Sequence, residues 1–381
     1  MRPHGAPLVP RYPGTGLRRL LRNLATALYR PPSGAAPPPV LAVLNPTADC
    51  NLRCRFCFER ADSAAAAVFG RPPECGELAG EEYGRLIDTL AHYRPTFYVT
   101  GGEPLLSAKT LPILQRIKAR GLYVSLNTNG VLLAERARDL VQAGVDKVIV
   151  SIDGPRRVHN RLRGDSFEAM AHGIETLRRA KRAAGSPLPY IRAQCMLSPY
   201  NIGAMTDTAD TVRALGLREL RFQHLMFAPS RTALDIDAAA RELAVRLDVA
   251  LPVVDPAAID VEELRRQMAR LARGRADGLV IRYEPDLPAA RIADYYRARP
   301  PPFGNDCLSA WRRLNVSAYG ELGPCQGVYL ARYPETSVAA AWNGEPFRRF
   351  RRQVLRRGLF AHCLRCCHRE YGRPRGGLEV H

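Results

Sequence analysis

Apolar positions along this chain follow two alternating rhythms. Short apolar runs at 40–45, 96–100, 122–126, 147–152, 190–196 and 219–224 read as strands. Between them, apolar residues recur at helical spacing over Gly80–Tyr93, Leu111–Arg120, Ala134–Ala143, Ser166–Ala184 and Ala204–Leu215. Six strand–helix units with short junctions predict a parallel sheet with right-handed crossovers. The fold class is therefore α/β, a partial (β/α)6 TIM-like barrel, over residues 40–228. In such barrels the chemistry gathers at the C-terminal ends of the strands.

The rhythm weakens on either side. Leu17, Leu20, Leu21, Leu24 and Leu28, with Arg18, Arg19 and Arg22 on other faces, predict a short basic amphipathic helix. It could pack on the barrel or make a weak contact with an anionic membrane surface. Pro31–Pro39 reads as an extended linker, so 1–39 stands apart from the barrel. Asp235–Val249 and Val261–Ala276 read as amphipathic helices and Leu279–Tyr283 as a short strand, making 229–302 a largely helical connector. The remainder, 303–381, is a small cysteine-rich unit. It holds a hairpin around Val316–Cys325 and a helix over Glu345–Gly358, whose inward stripe is Phe347, Phe350, Val354 and Leu355.

Charge and cysteine usage narrow the class. The net charge is +19, and nearly all of it is arginine; the lysines are Lys109, Lys118, Lys147 and Lys181 alone. The arginines are spread along the chain, which fits a solvated surface better than a nucleic-acid footprint, and no obligate nucleic-acid partner is expected. Eight of the ten cysteines cluster near residue 50 and after residue 306. Clustered short spacings in a chain this long point to metal in a reducing cytoplasm rather than to a secreted disulfide framework. There is no apolar h-region and no run of eighteen apolar residues.

The chemistry centres on Cys50-Asn51-Leu52-Arg53-Cys54-Arg55-Phe56-Cys57, a C-x3-C-x2-C spacing directly after the first strand. Three thiolates converging from one short loop suit an iron–sulfur cluster with one iron left open; a zinc knuckle would want a fourth local ligand. Thr100-Gly101-Gly102-Glu103-Pro104 follows the second strand, where two glycines permit a tight turn and close backbone approach to a ligand. Leu126–Gly130 contains the turn sequence Asn127-Thr128-Asn129-Gly130. Ser151 and Asp153, two apart at the end of the fourth strand, point to one side of an extended chain. They suit ribose hydroxyls or a carboxylate ligand.

Together these motifs resemble the radical S-adenosylmethionine (SAM) enzymes. The resemblance implies a 4Fe–4S cluster on Cys50, Cys54 and Cys57, its open iron chelated by the amino and carboxylate groups of SAM. It implies Phe56 beside the adenine, Glu103 with the Gly101–Gly102 backbone on the methionine amino group, and the Asn129 turn beside SAM. It further implies SAM contacts from Ser151 and Asp153, and Arg163 on the SAM carboxylate with Arg161 as rival. His224, at the end of the sixth strand, stands where a substrate-contacting catalytic residue is expected, or else bonds a loop. Arg192 and Gln194 share a strand face and could line the substrate cavity.

Cys307, Cys325 and Cys363-Leu364-Arg365-Cys366-Cys367-His368 form the second group. Four thiols on a hairpin and a helix end can enclose a metal fully, zinc included. Their spacing resembles the twitch domain, the short form of the SPASM extension of radical SAM enzymes. That implies an auxiliary 4Fe–4S cluster on Cys307, Cys325, Cys363 and Cys366, with Cys367 as the alternative fourth ligand. The expected activity is that of an oxidoreductase- or lyase-type enzyme. SAM is cleaved reductively to a 5′-deoxyadenosyl radical that takes hydrogen from a substrate C–H bond. The one-electron donor is of flavodoxin or ferredoxin type. Only 49 residues precede the triad, less than the peptide-binding domain many peptide modifiers carry there. The expected substrate is a small molecule, to be oxidised, dehydrated or rearranged; a peptide or protein side chain is the alternative. From another class, an iron–sulfur electron carrier or a basic nucleic-acid-binding protein would lack SAM binding.

Overall fold

The structure, a computed structural model, describes residues 30–57, 76–226, 246–247, 255–273, 278–296, 307–325, 327–360, 363 and 365–368. At its centre β1 (Leu41–Leu44), β2 (Thr96–Val99), β3 (Val124–Thr128), β4 (Lys147–Ser151), β5 (Tyr190–Met196) and β6 (Glu219–Gln223) lie side by side. Each pairs parallel to the next. The connecting helices are α1 (Gly80–Ala91), α2 (Thr110–Ala119), α3 (Leu133–Gln142), α4 (Arg156–Arg163), α5 (Phe167–Ala183) and α6 (Met205–Ala214). This is the predicted α/β architecture, with every predicted barrel strand present. Helix α4 was not expected: it buries only His159 and Leu162, too few apolar positions to show a period.

The sheet does not stop at the predicted barrel. After β7 (Arg246–Leu247) and α7 (Val261–Arg273), β8 (Val280–Glu284) adds parallel to β6, with Arg221 opposite Arg282 and Gln223 opposite Glu284. Helices α8 (Ile292–Tyr296) and α9 (Ser309–Arg312) lead into β9 (Arg313–Val316), which adds parallel to β1 on the other side. β10 (Glu321–Gly323) folds back on β9, and β12 (Ala331–Arg332) on β10, while β11 (Val328–Tyr329) pairs with β7. One ten-stranded sheet therefore carries the loop of the first cysteine group and the Cys307–Cys325 segment of the second. A parallel strand leaves its edge donors and acceptors unpaired unless another strand covers them, and β8 and β9 do so for β6 and β1.

The sheet has two distinct faces. Outward residues such as Ala42, Leu44, Val99, Leu126, Val150, Ala193 and Phe222 join the main core under the helices. Inward Leu41, Val43, Tyr98 and Ile149 form a separate small cluster. Burial pushes the Tyr98 hydroxyl above its ordinary range, and the charges of Arg192 on β5, Glu284 on β8 and Arg313 on β9 also act on it. Groups on strands so far apart in order meet because the sheet curls into a partial barrel.

Some expectations are corrected. Arg246–Leu247 is strand rather than part of a helix over Asp235–Val249, the rest of which lies outside the described residues. The predicted helix around Leu17–Leu28 also lies outside them. Among the described residues no helix is long and apolar enough to cross a membrane. In α11 (Glu345–Arg357), which follows α10 (Val338–Trp342), the inward stripe is Phe347, Phe350, Arg351 and Val354, and Leu355 is exposed. Arg351 takes that place because its guanidinium bonds the carbonyls of Ala310 at 2.8 Å and Trp342 at 2.8 Å. It also lies 4.3 Å from the Trp342 ring centre. Removing it strands buried carbonyls. Arg351→Met is expected to cost about 3 kcal/mol and Leu355→Ser under about 0.5 kcal/mol, read by chemical denaturation. Equal costs would refute this placement.

Candidate iron–sulfur and cofactor site

The loop after β1 is fastened before its first cysteine. The Gly102 N–H donates to the Thr47 carbonyl at 3.0 Å, and the Glu103 N–H to the Asp49 carbonyl at 2.8 Å. Both glycines are sterically required. A Cβ on Gly102 would overlap the Asp49 carbonyl oxygen. One on Gly101, whose φ is +123°, would lie 2.7 Å from the Thr47 oxygen. Glu77 accepts from the Thr47 hydroxyl at 2.7 Å and the Ala48 N–H at 2.8 Å, and Lys109 holds Glu77 at 2.8 Å.

Glu103 is 1% exposed. Its carboxylate accepts from Leu105 N at 3.0 Å, Thr128 Oγ1 at 2.7 Å and Asn129 N at 2.7 Å. Burial raises its pKa above the usual carboxylate range in spite of these donors. One buried side chain thus joins the tips of β2 and β3. Asn129 passes the link on, its Nδ2 donating to Asn51 Oδ1 at 2.8 Å and lying 4.0 Å from Cys50 Sγ.

The other side of the loop rests on Arg163, the last residue of α4. Its Nε donates to Asp153, its Nη1 lies 3.7 Å from Cys54 Sγ, and its guanidinium stands 5.4 Å from the Phe56 ring centre. Asp153 is fully buried and also accepts from Met196 N at 2.8 Å. Phe56 and Cys54 are buried, Cys57 is half-buried and Cys50 is exposed. Burial, with the Glu103 and Cys54 charges, raises the Cys50 pKa. The predicted residues Cys50, Cys54, Phe56, Glu103, Asn129, Asp153 and Arg163 therefore form one connected array, with Ser151 buried at the end of β4. Arg161, the rival cation, instead donates to the Tyr200 carbonyl at 3.0 Å. The residues fit a cluster: three thiols lie on one loop, with N–H donors near two of the sulfurs, as thiolate-bound iron requires.

His224 has a different setting. It is fully buried, with Nδ1 2.8 Å from the Tyr296 hydroxyl and its ring packed on Tyr295. Burial lowers its pKa to about 3. The Tyr295 hydroxyl lies 2.8 Å from the carbonyls of both Leu225 and Arg365. This aromatic brace pins the second cysteine group to β6. There, burial and then the Cys363, Cys366 and Cys307 thiols push the Cys325 thiol well above its ordinary range, so the four are neighbours. Among the described residues no three His, Cys, Asp or Glu side chains converge on a single-ion centre. Cys367 turns away to accept from Gln223 Nε2 at 2.9 Å.

The sequence pattern does not single out Thr47, Glu77 or His159, and it marks Thr128 only as part of a turn. His159 Nδ1 accepts from the Asp153 N–H at 3.3 Å, and its Nε2 faces Ser166 Oγ at 3.1 Å. Only its strand-end neighbour Asp153 signalled it.

A curled parallel sheet with a cysteine loop at one strand tip defines the class, a barrel-type iron–sulfur protein. Residues 44–188 match the Radical SAM superfamily and residues 307–367 match SPASM, an iron–sulfur cluster-binding domain. The chain thus carries a radical SAM domain followed by a C-terminal SPASM-type iron–sulfur domain. It is 34% identical over 175 residues to the AdoMet-dependent heme synthase of Methanosarcina barkeri, covering 45% of this chain and 46% of that protein. It is 37% identical over 134 residues to a probable GTP 3',8-cyclase of Methanopyrus kandleri, covering 34% and 40%. It thus spans less than half the length of these curated relatives. Streptococcus suis SuiB bound to its precursor peptide SuiA shares the fold, with TM-score 0.61 and 12% identity over 89% of this chain and 73% of that one.

Gly102→Ala is expected to lower the iron bound after reconstitution by about four per chain, one 4Fe–4S cluster, as read by iron assay. Unchanged iron would show that the glycine contact does not shape the loop. Burial, with the Arg163 charge, lowers the His159 pKa to about 4. The folded chain therefore resists protonation there, and this stability is present above pH 6.5 and lost as pH falls towards 4. The loss is about 3 kcal/mol at 1.36 kcal/mol per unit. His159→Gln should flatten the denaturation midpoint over that range.

Proposed function

We propose that this protein is a radical SAM enzyme acting on a small molecule. When bound, a 4Fe–4S cluster with an open iron supplies the electron that cleaves SAM to methionine and a 5′-deoxyadenosyl radical, which takes hydrogen from a substrate C–H bond. The chain's own residues do the rest. Cys50, Cys54 and Cys57 hold the cluster, and Arg163 donates toward Cys54 while Asp153 fixes it. The Gly101–Gly102 backbone and Glu103 shape the seat of the SAM amino group, with Asn129, Ser151 and Phe56 around the nucleoside. Cys307, Cys325, Cys363 and Cys366 hold one auxiliary cluster with no open position, which suits electron relay. His224 braces that cluster's loop rather than touching substrate. A reducing cytoplasm, with a flavodoxin- or ferredoxin-type donor, suits both clusters.

The observation that carries this reading is the array in which Asp153, Arg163 and Phe56 close on Cys54 while Glu103 and Asn129 close on Cys50. The relatives above 30% identity bear names of small-molecule enzymes, which favours that substrate class over a peptide. The test is anaerobic reconstitution with reductant and SAM. About eight irons per chain and 5′-deoxyadenosine are expected. Cys54→Ala should abolish the product, and Cys363→Ala should remove about four irons. A chain with its first cluster intact that fails to bind SAM would refute the proposal.

A further inference from the structure

The inner face of the sheet is more cationic than its own carboxylates can neutralise. Alternation along the strands turns Arg192 and Gln194 of β5 inward, with Glu219, Arg221 and Gln223 of β6, because Ala193, Cys195, Leu220 and Phe222 belong to the outer core. The same alternation places Arg282 and Glu284 of β8 and Arg313 of β9 on the inner side, opposite Ile281, Tyr283, Leu314 and Val316. Among the described residues of these strands, four guanidiniums thus face two carboxylates. Glu284 pairs with Arg221 at 2.7 Å, and Glu219 is shared between Arg192 at 4.0 Å and Arg282 at 3.7 Å.

Arg192 and Arg313 both keep buried N–H groups without a hydrogen-bond partner among the described residues. Arg192 is fully buried, and among the described residues its only hydrogen bond runs from Nη2 to Gln194 at 3.0 Å, leaving Nε and Nη1 without one. Arg313 is 3% exposed, its Nε is buried without a hydrogen-bond partner, and it forms no ion pair among the described residues. The charges of both act on the buried Tyr98 hydroxyl of β2, which lies between their strands in the sheet order, and that of Arg313 acts also on the Cys325 and Cys367 thiols. A buried guanidinium with unmet N–H groups is unfavourable, and those groups suit planar or tetrahedral oxyanions. Val43, Tyr98 and Ile149 supply an apolar wall beside them.

We propose that Arg192 and Arg313 bind an anionic group of the substrate, a carboxylate or a phosphate, on the inner face of the sheet. This rests on the radical SAM reading for the word substrate, but the anion site itself does not depend on SAM cleavage. The reconstituted full-length protein is titrated calorimetrically at low salt with pyrophosphate and, separately, with succinate; SAM binding is measured on the same samples. One probe is expected to bind at one per chain, pyrophosphate for a phosphate-bearing substrate and succinate for a carboxylate-bearing one. Arg192→Gln and Arg313→Gln are each expected to weaken it at least tenfold, with SAM affinity and iron content unchanged. Arg192→Lys and Arg313→Lys, which keep the charge, should lose less, and the exposed Arg273→Gln nothing. No binding of either probe, or equal binding in the two Gln variants, overturns the proposal. So does an Arg313→Gln variant that shifts the auxiliary-cluster potential while binding the probe normally, since Arg313 would then be the counter-charge of that cluster. Loss of SAM binding in the wild type would instead refute the radical SAM reading and leave the anion site standing.

Discussion

The close approach of the Gly101–Gly102 backbone to the Thr47–Asp49 carbonyls is the constraint on which the site depends. Two N–H···O bonds cross a gap that any Cβ would close. They set the direction in which the chain runs into Cys50. Glu103 follows at once, and both its carboxylate oxygens accept from Leu105, Thr128 and Asn129. A buried carboxylate with three donors is rigid because releasing any one of them exposes charge to a dry interior. Three strand tips are thereby held in one geometry before any cofactor arrives, which is what a preorganised site requires.

That arrangement changes how the GGEP motif is understood. The motif was expected to meet a ligand through its carboxylate. In the structure the Glu103 oxygens accept three hydrogen bonds from their own protein, which orients the carboxylate and fixes the Asn129 turn beside it. Asp153 shows the same logic on the other side. Its oxygens hold Arg163 and the Met196 N–H, and Arg163 is the group that reaches Cys54. In both cases an acidic residue orients a donor, and the donor faces a sulfur. Such orientation tunes thiolate clusters as much as the thiolates do.

The barrel strands, the crossover helices other than α4 and both cysteine groups were legible in the sequence, because period and spacing are local signals. What was not legible depended on long-range pairing. β8 and β9 read as peripheral pieces, since nothing in Val280–Glu284 or Arg313–Val316 tells which edge will receive them. Leu355 and Arg351 exchanged places because a guanidinium surrounded by carbonyls outcompetes an apolar side chain for that position, and the carbonyls come from Trp342 and Ala310. Sequence proximity put His224 at the mouth of the barrel. Tyr295 and Tyr296, seventy residues on, decided its surroundings instead.

Because β9 pairs directly with β1, the segment carrying Cys307 and Cys325 is built onto the strand that launches the Cys50 loop. The segment carrying Cys366 is tied to β6 by Tyr295 and by the Gln223–Cys367 bond. The two cysteine groups thus share one sheet rather than sitting on two bodies joined by a linker. Relative motion between them would have to break parallel strand pairing, the most protected part of such a fold. A chain that must keep two electron-carrying centres and a lumen in fixed relation gains most from this plan, since sites on a rigid sheet hold their spacing better than sites on loops. The inner-face arginines lie on strands of that same sheet. Whatever occupies the lumen is therefore held against a frame common to both centres.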